Sequence, residues 1–327
     1  MNLETVPGQS TTEQGSNETG ENNSTNKASP AVVVFPERWK EKEAAIAPTS
    51  LYSHLPGWRL VPVIVKANDD LRQEQFVSQL LFQFSAIFRA SRVPVWMNPY
   101  DILAISSDAG IIQAIPDTIS LDALKRSDPY FTTLDDWFER HFHTGSRGHD
   151  RIRVARLNFA RSLAAYSIVC YILQIKDRHN GNILLDRRGH IMHIDFGFLL
   201  TNSPGGNIGF ESAPFKLTAE FIEVLGGPHS PLFSTFRKLC VRAFLAVRKH
   251  RERIILLIQM MLAGNEHLPC FIGGARTVMS SLRTRFYEQG DDRACVSFVH
   301  RLIDSAMDDW RTRWYDAYQS IAQGVRA

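Results

Sequence analysis

The spacing of apolar and polar positions changes several times along the chain, and each change marks an element. Residues 1–30 contain no aromatic side chain and are dominated by Ser, Thr, Asn, Gln and Gly, with Glu4, Glu13, Glu18 and Glu21. Such a stretch cannot bury enough apolar surface to offset its chain entropy, so a disordered tail is expected. Apolar content begins at Ala31–Phe35, and Glu37–Ile46 reads as a charged helix. Leu60–Lys66 reads as a strand, and Pro62 puts it at a sheet edge. In Leu71–Phe88 the apolar residues fall at 76, 77, 80, 81, 84 and 87, a helical period. Tyr100–Ser106 and Gly110–Ile115 read as strands around the turn Ser107-Asp108-Ala109. Ser120–Phe142 is helical with polar breaks, and His143–Asp150 is a loop. Arg156–Gln174 is an apolar helix, and the chain after Phe215 is mostly helical. A strand-rich segment therefore precedes a longer helix-rich one, an α+β arrangement.

Composition narrows the classes. Hydrophobic residues make up 44% of the 327 and charged ones 22%, enough for a sizeable core. The formal net charge is only +3, which argues against a nucleic-acid partner. Cys170, Cys240, Cys270 and Cys295 are scattered, with no CxxC pair, so neither a disulfide framework nor a zinc module is expected. No run approaches the roughly 18–20 apolar residues of a membrane span. The expected protein is soluble, or membrane-attached only at its surface.

The densest chemistry lies in Lys176–Leu200, KDRHNGNILLDRRGHIMHIDFGFLL. Asn182–Asp186 and His190–Asp195 read as strands joined by the turn Arg187-Arg188-Gly189. Pairing them brings Asn182 and Asp195 together at the open end, with Asp177 in the loop feeding that end. An Asp, an Asn five residues on, a hairpin and then Asp195-Phe196-Gly197 suit phosphoryl transfer. One carboxylate orients or deprotonates an acceptor hydroxyl, while an amide oxygen and a second carboxylate hold Mg²⁺, with Mn²⁺ as an alternative. Upstream, Lys66 ends a strand where its ammonium can meet ATP phosphates, and Glu74 in the next helix can pair with it. No Gly-Lys dipeptide occurs, which removes P-loop NTPases. The order Asp-Arg-His, reversed from His-Arg-Asp, argues against an ordinary protein kinase.

These residues resemble the phosphatidylinositol kinases, and within them the type III beta phosphatidylinositol 4-kinases. The resemblance is carried by SLYSHLPGW (Ser50–Trp58), VIVKANDDLRQE (Val63–Glu74), Val93–Gln113, Leu173–Phe198, Gly209–Gly227 and Trp314–Val325. It implies a two-lobed kinase-like fold, with a small strand-rich N-lobe (31–118) and a larger, mostly helical C-lobe (119–327). It also implies transfer of the ATP γ-phosphate to the 4-hydroxyl of phosphatidylinositol. A phosphatidylinositol 3-kinase or a phosphatidylinositol-kinase-related protein kinase is the alternative. By the same resemblance Lys66 contacts ATP phosphates and Glu74 holds it. Asp177 is the acceptor-side carboxylate, and Asn182 and Asp195 are the metal ligands. Arg178 belongs to the catalytic loop, and His179 either stabilises the transferring phosphate or assists proton removal. The loop from Ser50 to Leu55 covers the phosphates, and Gln113 and Ile115, with Ala114 between them, form the hinge that meets adenine. The implied location is cytoplasmic and peripheral on intracellular, Golgi-like membranes. The helical region that usually precedes such a domain is expected to be absent.

Residues 198–215 contain no Lys or Arg, and Lys216 is the first basic residue after Asp195-Phe196-Gly197. An already phosphorylated inositide would need cations there, so unphosphorylated phosphatidylinositol is favoured, with Lys216 serving its phosphodiester. Arg237–Arg253, with seven Lys/Arg, and the series Met307, Trp310, Trp314 and Tyr318 are further candidates for membrane contact, against core packing as the ordinary outcome. His54, His190 and His193 read as structural.

Overall fold

In the computed structural model, Phe35, residues 38–204 and residues 213–308 are described. After a short helix α1 (Trp39–Ile46), strand β1 (Val63–Ala67) leads into α2 (Arg72–Ala90). Strands β2 (Ile102–Ala104) and β3 (Ala109–Gln113) then form a hairpin. The sheet order is β1-β3-β2, all antiparallel, with Val65 opposite Ile111 and Leu103 opposite Ile111. β1 is thus an edge strand, as Pro62 just before it requires. α2 lies against this sheet because its apolar stripe works at the expected period: Phe76, Val77, Leu80, Leu81, Phe84 and Ile87 are all buried.

Residues 114–117 lead to a second antiparallel sheet, in the order β4-β5-β6: β4 (Thr118–Ser120), β5 (Ile183–Asp186) and β6 (Ile191–His193). The expected lobe boundary at 118/119 falls inside β4, which belongs to the second sheet by its pairing with β5. Ser120 ends β4 and caps α3 (Leu121–Ser127), its hydroxyl accepting from Ala123 N at 3.1 Å. Thr133 does the same for α4 (Leu134–Phe142). The long helix α5 (Gly148–Leu173) is buried almost all round over its second half. Gly189 turns the β5–β6 hairpin at φ +86°, close against α5, where a Cβ would sit 2.7 Å from Ala155 O.

The rest is helical: α6 (Ala219–Val224), α7 (Pro231–Lys249), α8 (Arg251–Leu262), α9 (Gly274–Arg285) and α10 (Asp292–Asp308). α7 packs along α5, burying Leu239, Ala243 and Val247. Its cations serve the fold. Arg237 bonds Asp304 at 2.6 Å, and Arg248 bonds Asp292 at 3.1 Å and the Gly290 carbonyl. The apolar face considered for membrane contact is therefore the core face of this helix. Trp310, Trp314 and Tyr318 lie outside the described residues, as do residues 1–34 and 205–212. Among the described residues no helix is long and apolar enough to cross a membrane. All four cysteines are buried and none forms a disulfide.

Candidate active site

The end of α5 sets up the site. Gln174 takes the left-handed conformation that stops the helix. Beyond it the chain runs beside the segment after β6, with Lys176 N donating to Phe198 O at 3.0 Å and Leu200 N to Leu173 O at 2.8 Å. Asp177 follows at φ 64°, in the left-handed region that a non-glycine residue enters only under constraint. Part of that constraint is Asn182, whose Nδ2 donates to Asp177 O at 3.0 Å. With Nδ2 turned to that carbonyl, the carbamoyl oxygen of Asn182 is left as an acceptor for the cavity described below.

The hairpin register places Ile183 opposite His193, and Ile194 N donates to Asn182 O at 3.1 Å. Asn182 and Asp195 thereby meet at the open end, as their spacing in the sequence predicts. Asp195 also sits at a positive φ, 60°, and its side chain is exposed. Phe196 turns the other way, fully buried and stacked at 6.2 Å on Tyr100.

Arg178 points inward. It is 5% exposed; its Nε donates to Lys176 O at 2.9 Å, Nη1 to Ile194 O at 2.7 Å, and Nη2 to Asp195 O. The guanidinium also lies over the Phe196 ring at 5.7 Å. These bonds occupy it with the backbone, so Arg178 braces the loop and is not placed to touch reacting groups.

His179 accepts from Gly181 N through Nδ1 at 3.1 Å, while its Nε2 lies 3.9 Å from Asp177 Oδ2. Burial depresses its pKa, opposed by Asp177 and reinforced by the cations Arg178 and Lys216. With Nδ1 used as an acceptor, the proton of the neutral ring sits on Nε2, facing Asp177.

A cavity of about 380 Å³ separates the two sheets. Ile64, Ile112 and Ile115 wall it on one side, Leu184 and Ile194 on the other, and Lys66, Glu74, Asn182 and Asp195 converge at its polar end. Gln113 and Ala114 line it too, which puts the expected hinge residues in place. The Gln113 side chain is engaged outside, accepting from Asp101 N at 3.0 Å. Glu74 is half-buried, and desolvation, helped by the nearby charges of Asp195 and Asp69, raises its pKa to about 7.

Two expectations fail here. The ion pair between Lys66 and Glu74 is not formed; Lys66 Nζ pairs with Asp69 Oδ2 at 3.4 Å, each side chain 44% exposed. Asp69 is three residues from Lys66 and remains hydrated, whereas Glu74 is half-buried and inclined to hold a proton. Ser50 does not line the cavity. Its hydroxyl accepts from Tyr52 N at 3.3 Å and Trp58 Nε1 at 3.1 Å, which folds Ser50–Trp58 into a local turn.

Lys216 is 7% exposed, and its charge lowers the pKa of both His179 and His193. It lies in the interior near the catalytic loop and is not a surface lysine. His190 bonds Asp186 at 2.9 Å and stacks on Trp96, and His193 stacks on Tyr166, so both are structural as expected. Two residues near the site were not singled out by the sequence reading. Tyr100 lines the cavity, and Gln73, beside Glu74 in the DDLRQE run, donates to the carbonyls of Phe196 and Gly197. For Gln73 its place in that run was the available signal.

The donor set, one carboxylate and one amide oxygen, suits a hard divalent cation completed by phosphate oxygens and water. Among the described residues no group of three His, Cys, Asp or Glu is placed to hold a metal ion.

The family described as phosphatidylinositol 3- and 4-kinase matches residues 60–271. A phosphatidylinositol 4-kinase of Dictyostelium discoideum is 50% identical over 291 residues, 89% of this chain and 24% of the relative. Phosphatidylinositol 4-kinase beta 2 of Arabidopsis thaliana is 48% identical, covering 89% of this chain and 26% of the relative. Phosphatidylinositol 4-kinase beta of Xenopus laevis is 41% identical, covering 90% and 36%. The chain thus spans between about a quarter and a third of the length of these relatives.

Proposed function

We propose that this chain, which belongs to the phosphatidylinositol 3- and 4-kinase family, transfers the γ-phosphate of ATP to the 4-hydroxyl of phosphatidylinositol. The observation that carries the reading is the convergence of Lys66, Asn182 and Asp195 on one cavity, with Asp177 and His179 in the loop that feeds it. The choice of the 4-position is supported by relatives 40–50% identical to this chain that are phosphatidylinositol 4-kinases by name.

Adenine would enter between Ile64 and Ile112 on one side and Leu184 and Ile194 on the other, at the hinge formed by Gln113–Ile115. Lys66 would reach the phosphates, exchanging its hydrated pair with Asp69 for them. Asn182 and Asp195 would hold Mg²⁺, or Mn²⁺ in its place; a bound cation neutralises charge on the phosphates and aligns them for in-line displacement. Asp177 accepts the proton of the inositol hydroxyl. His179 presents Nε2–H, which orients Asp177 or donates to the transferring phosphate. The bond from Gly181 N to His179 Nδ1 supports Asp177, rather than His179, as the base. Lys216 supplies fixed positive charge behind this loop as negative charge develops on the acceptor side.

The acceptor is a bilayer lipid, so the enzyme works at a membrane surface, from the cytoplasmic side where ATP is found. Golgi-like membranes are the location to which the family resemblance points. Incubation with labelled ATP and phosphatidylinositol vesicles, then chromatography of the deacylated product, tests the proposal. A 4-phosphate is expected. A 3-phosphate would move the reading to the other branch of the family, and labelled polypeptide with unlabelled lipid would overturn it.

A further inference from the structure

Asp195 holds its carboxylate at the cavity from a left-handed backbone conformation, φ 60°, with its own Oδ1 accepting from Gly197 N at 3.4 Å. Hydrogen bonds from outside the segment hold the backbone around it. Four consecutive carbonyl oxygens, from residues 194 to 197, each accept from one of two buried side chains, and Gly197 O accepts from Asn202 Nδ2 as well, at 3.2 Å. Arg178 donates to the oxygens of Ile194 and Asp195. Gln73 donates through Nε2 to the oxygens of Phe196, at 3.1 Å, and Gly197, at 2.7 Å. The two clamps approach from opposite parts of the fold, Arg178 from the catalytic loop and Gln73 from the first turn of α2.

Gln73 has a third partner. Its Oε1 accepts from Cys270 N at 3.0 Å, in the turn that precedes α9. That turn is itself tied to the segment after Gly197, since Thr201 Oγ1 donates to Cys270 O at 2.8 Å. Gln73 is 6% exposed, so water cannot substitute for these bonds. The amide is also the right group chemically. Two carbonyls need two N–H donors and one amide N–H needs an acceptor, a set that a primary amide satisfies. A carboxylate at this position, as in the neighbouring Glu74, would face two carbonyl oxygens with no proton to offer.

We infer that Gln73 is a positioning residue for the Asp195 carboxylate: with Arg178 it clamps four successive carbonyls and ties the metal-holding segment to α2. Gln73 does not touch nucleotide or metal; it acts through the backbone on either side of Phe196. The inference rests on the reading of Asp195 as a metal-holding carboxylate.

The test is binding of fluorescent mant-ATP to the chain, with and without Mg²⁺, in wild type, Gln73→Met, Gln73→Asn and Asp195→Ala. Gln73→Met keeps volume and neutrality and removes all three hydrogen bonds. It is expected to lose about tenfold of the affinity gain that Mg²⁺ confers, with metal-free affinity unchanged. Gln73→Asn keeps the amide one methylene short, and a smaller loss of the same kind is expected. Should Gln73→Met fail to fold, as read from its melting curve, Gln73→Asn decides by the same criterion. A full Mg²⁺ gain in the Gln73 variants, or equal losses with and without the metal, would overturn the positioning role. If Asp195→Ala keeps the gain, the metal reading fails and this inference falls with it; if only Asp195→Ala loses it, the inference alone fails.

Discussion

The two walls of the cavity are built differently. On the β5–β6 side, Asn182, Arg178 and Phe196 are buried, and the segment from Asp177 to Gly197 is held at both ends and in its middle by side chain to backbone bonds. On the β1 side, Val63, Ile64 and Val65 are half or more exposed, Lys66 is held by one hydrated pair, and Ser50–Trp58 is bonded chiefly to itself. The loop and hairpin that carry Asp177, Asn182 and Asp195 are thus held by many bonds, and strand β1 by few. On the proposed function, preorganisation would be concentrated where charge develops during transfer, since fixed dipoles and charges cost no reorganisation there.

Substitutions can break this contrast. The largest effect is expected for Asp195→Ala, which should lower turnover of ATP and phosphatidylinositol by about 10³-fold or more while the protein still melts cooperatively. Retained activity would remove Asp195 from the metal site. Arg178→Met comes next. It strips donors from three partly buried carbonyls and should cost about 3 kcal/mol of stability by chemical denaturation, with activity falling as the loop relaxes. A loss under about 1 kcal/mol would show that the bracing is weaker than its geometry suggests.

On the looser wall, Lys66→Met should raise the KM for ATP about tenfold or more with a smaller fall in kcat at saturation. An unchanged response to ATP concentration would count against contact with phosphate.

The pH response of the empty protein probes the boundary between the walls. Glu74 has a folded-state pKa of about 7, above its ordinary value of 4.5, so the native state binds the extra proton. Its contribution to stability is therefore complete below about pH 4.5 and is lost as pH rises through about 7, a swing of about 3 kcal/mol at most. Glu74→Gln should flatten that part of the profile of unfolding free energy against pH, and an unaltered slope would reject the assignment. The smallest effect is expected for Asp69→Asn. Both partners of its ion pair are 44% exposed, so the change in stability should stay below about 1 kcal/mol and shrink further in high salt.

Legibility in the sequence followed how local each interaction is. The meeting of Asn182 with Asp195 was readable because one short turn joins their strands and period-two pairing then sets the register. The stripe of α2 was readable for the same reason at period 3.6. By contrast, β4 has three residues and no pattern of its own; Thr118–Ser120 is a strand only because Leu184–Asp186 lies beside it. The basic stretch of α7 reads most readily as a core helix with solvated charges, with a membrane-facing helix as the alternative. Its packing along α5 settled the matter.

The order of residues was enough to establish the chemistry on offer: which side chains can take a proton, bind a hard cation or neutralise phosphate, and which stand within a turn of one another. Which carboxylate Lys66 meets, which nitrogen of His179 keeps its proton, and which distant amide steadies Asp195 emerged only on folding. The first two are contacts within three residues, Lys66 with Asp69 and His179 with Gly181, selected among alternatives by burial. The last joins segments about 120–200 positions apart, Gln73 with Phe196 and Cys270, which no local pattern encodes.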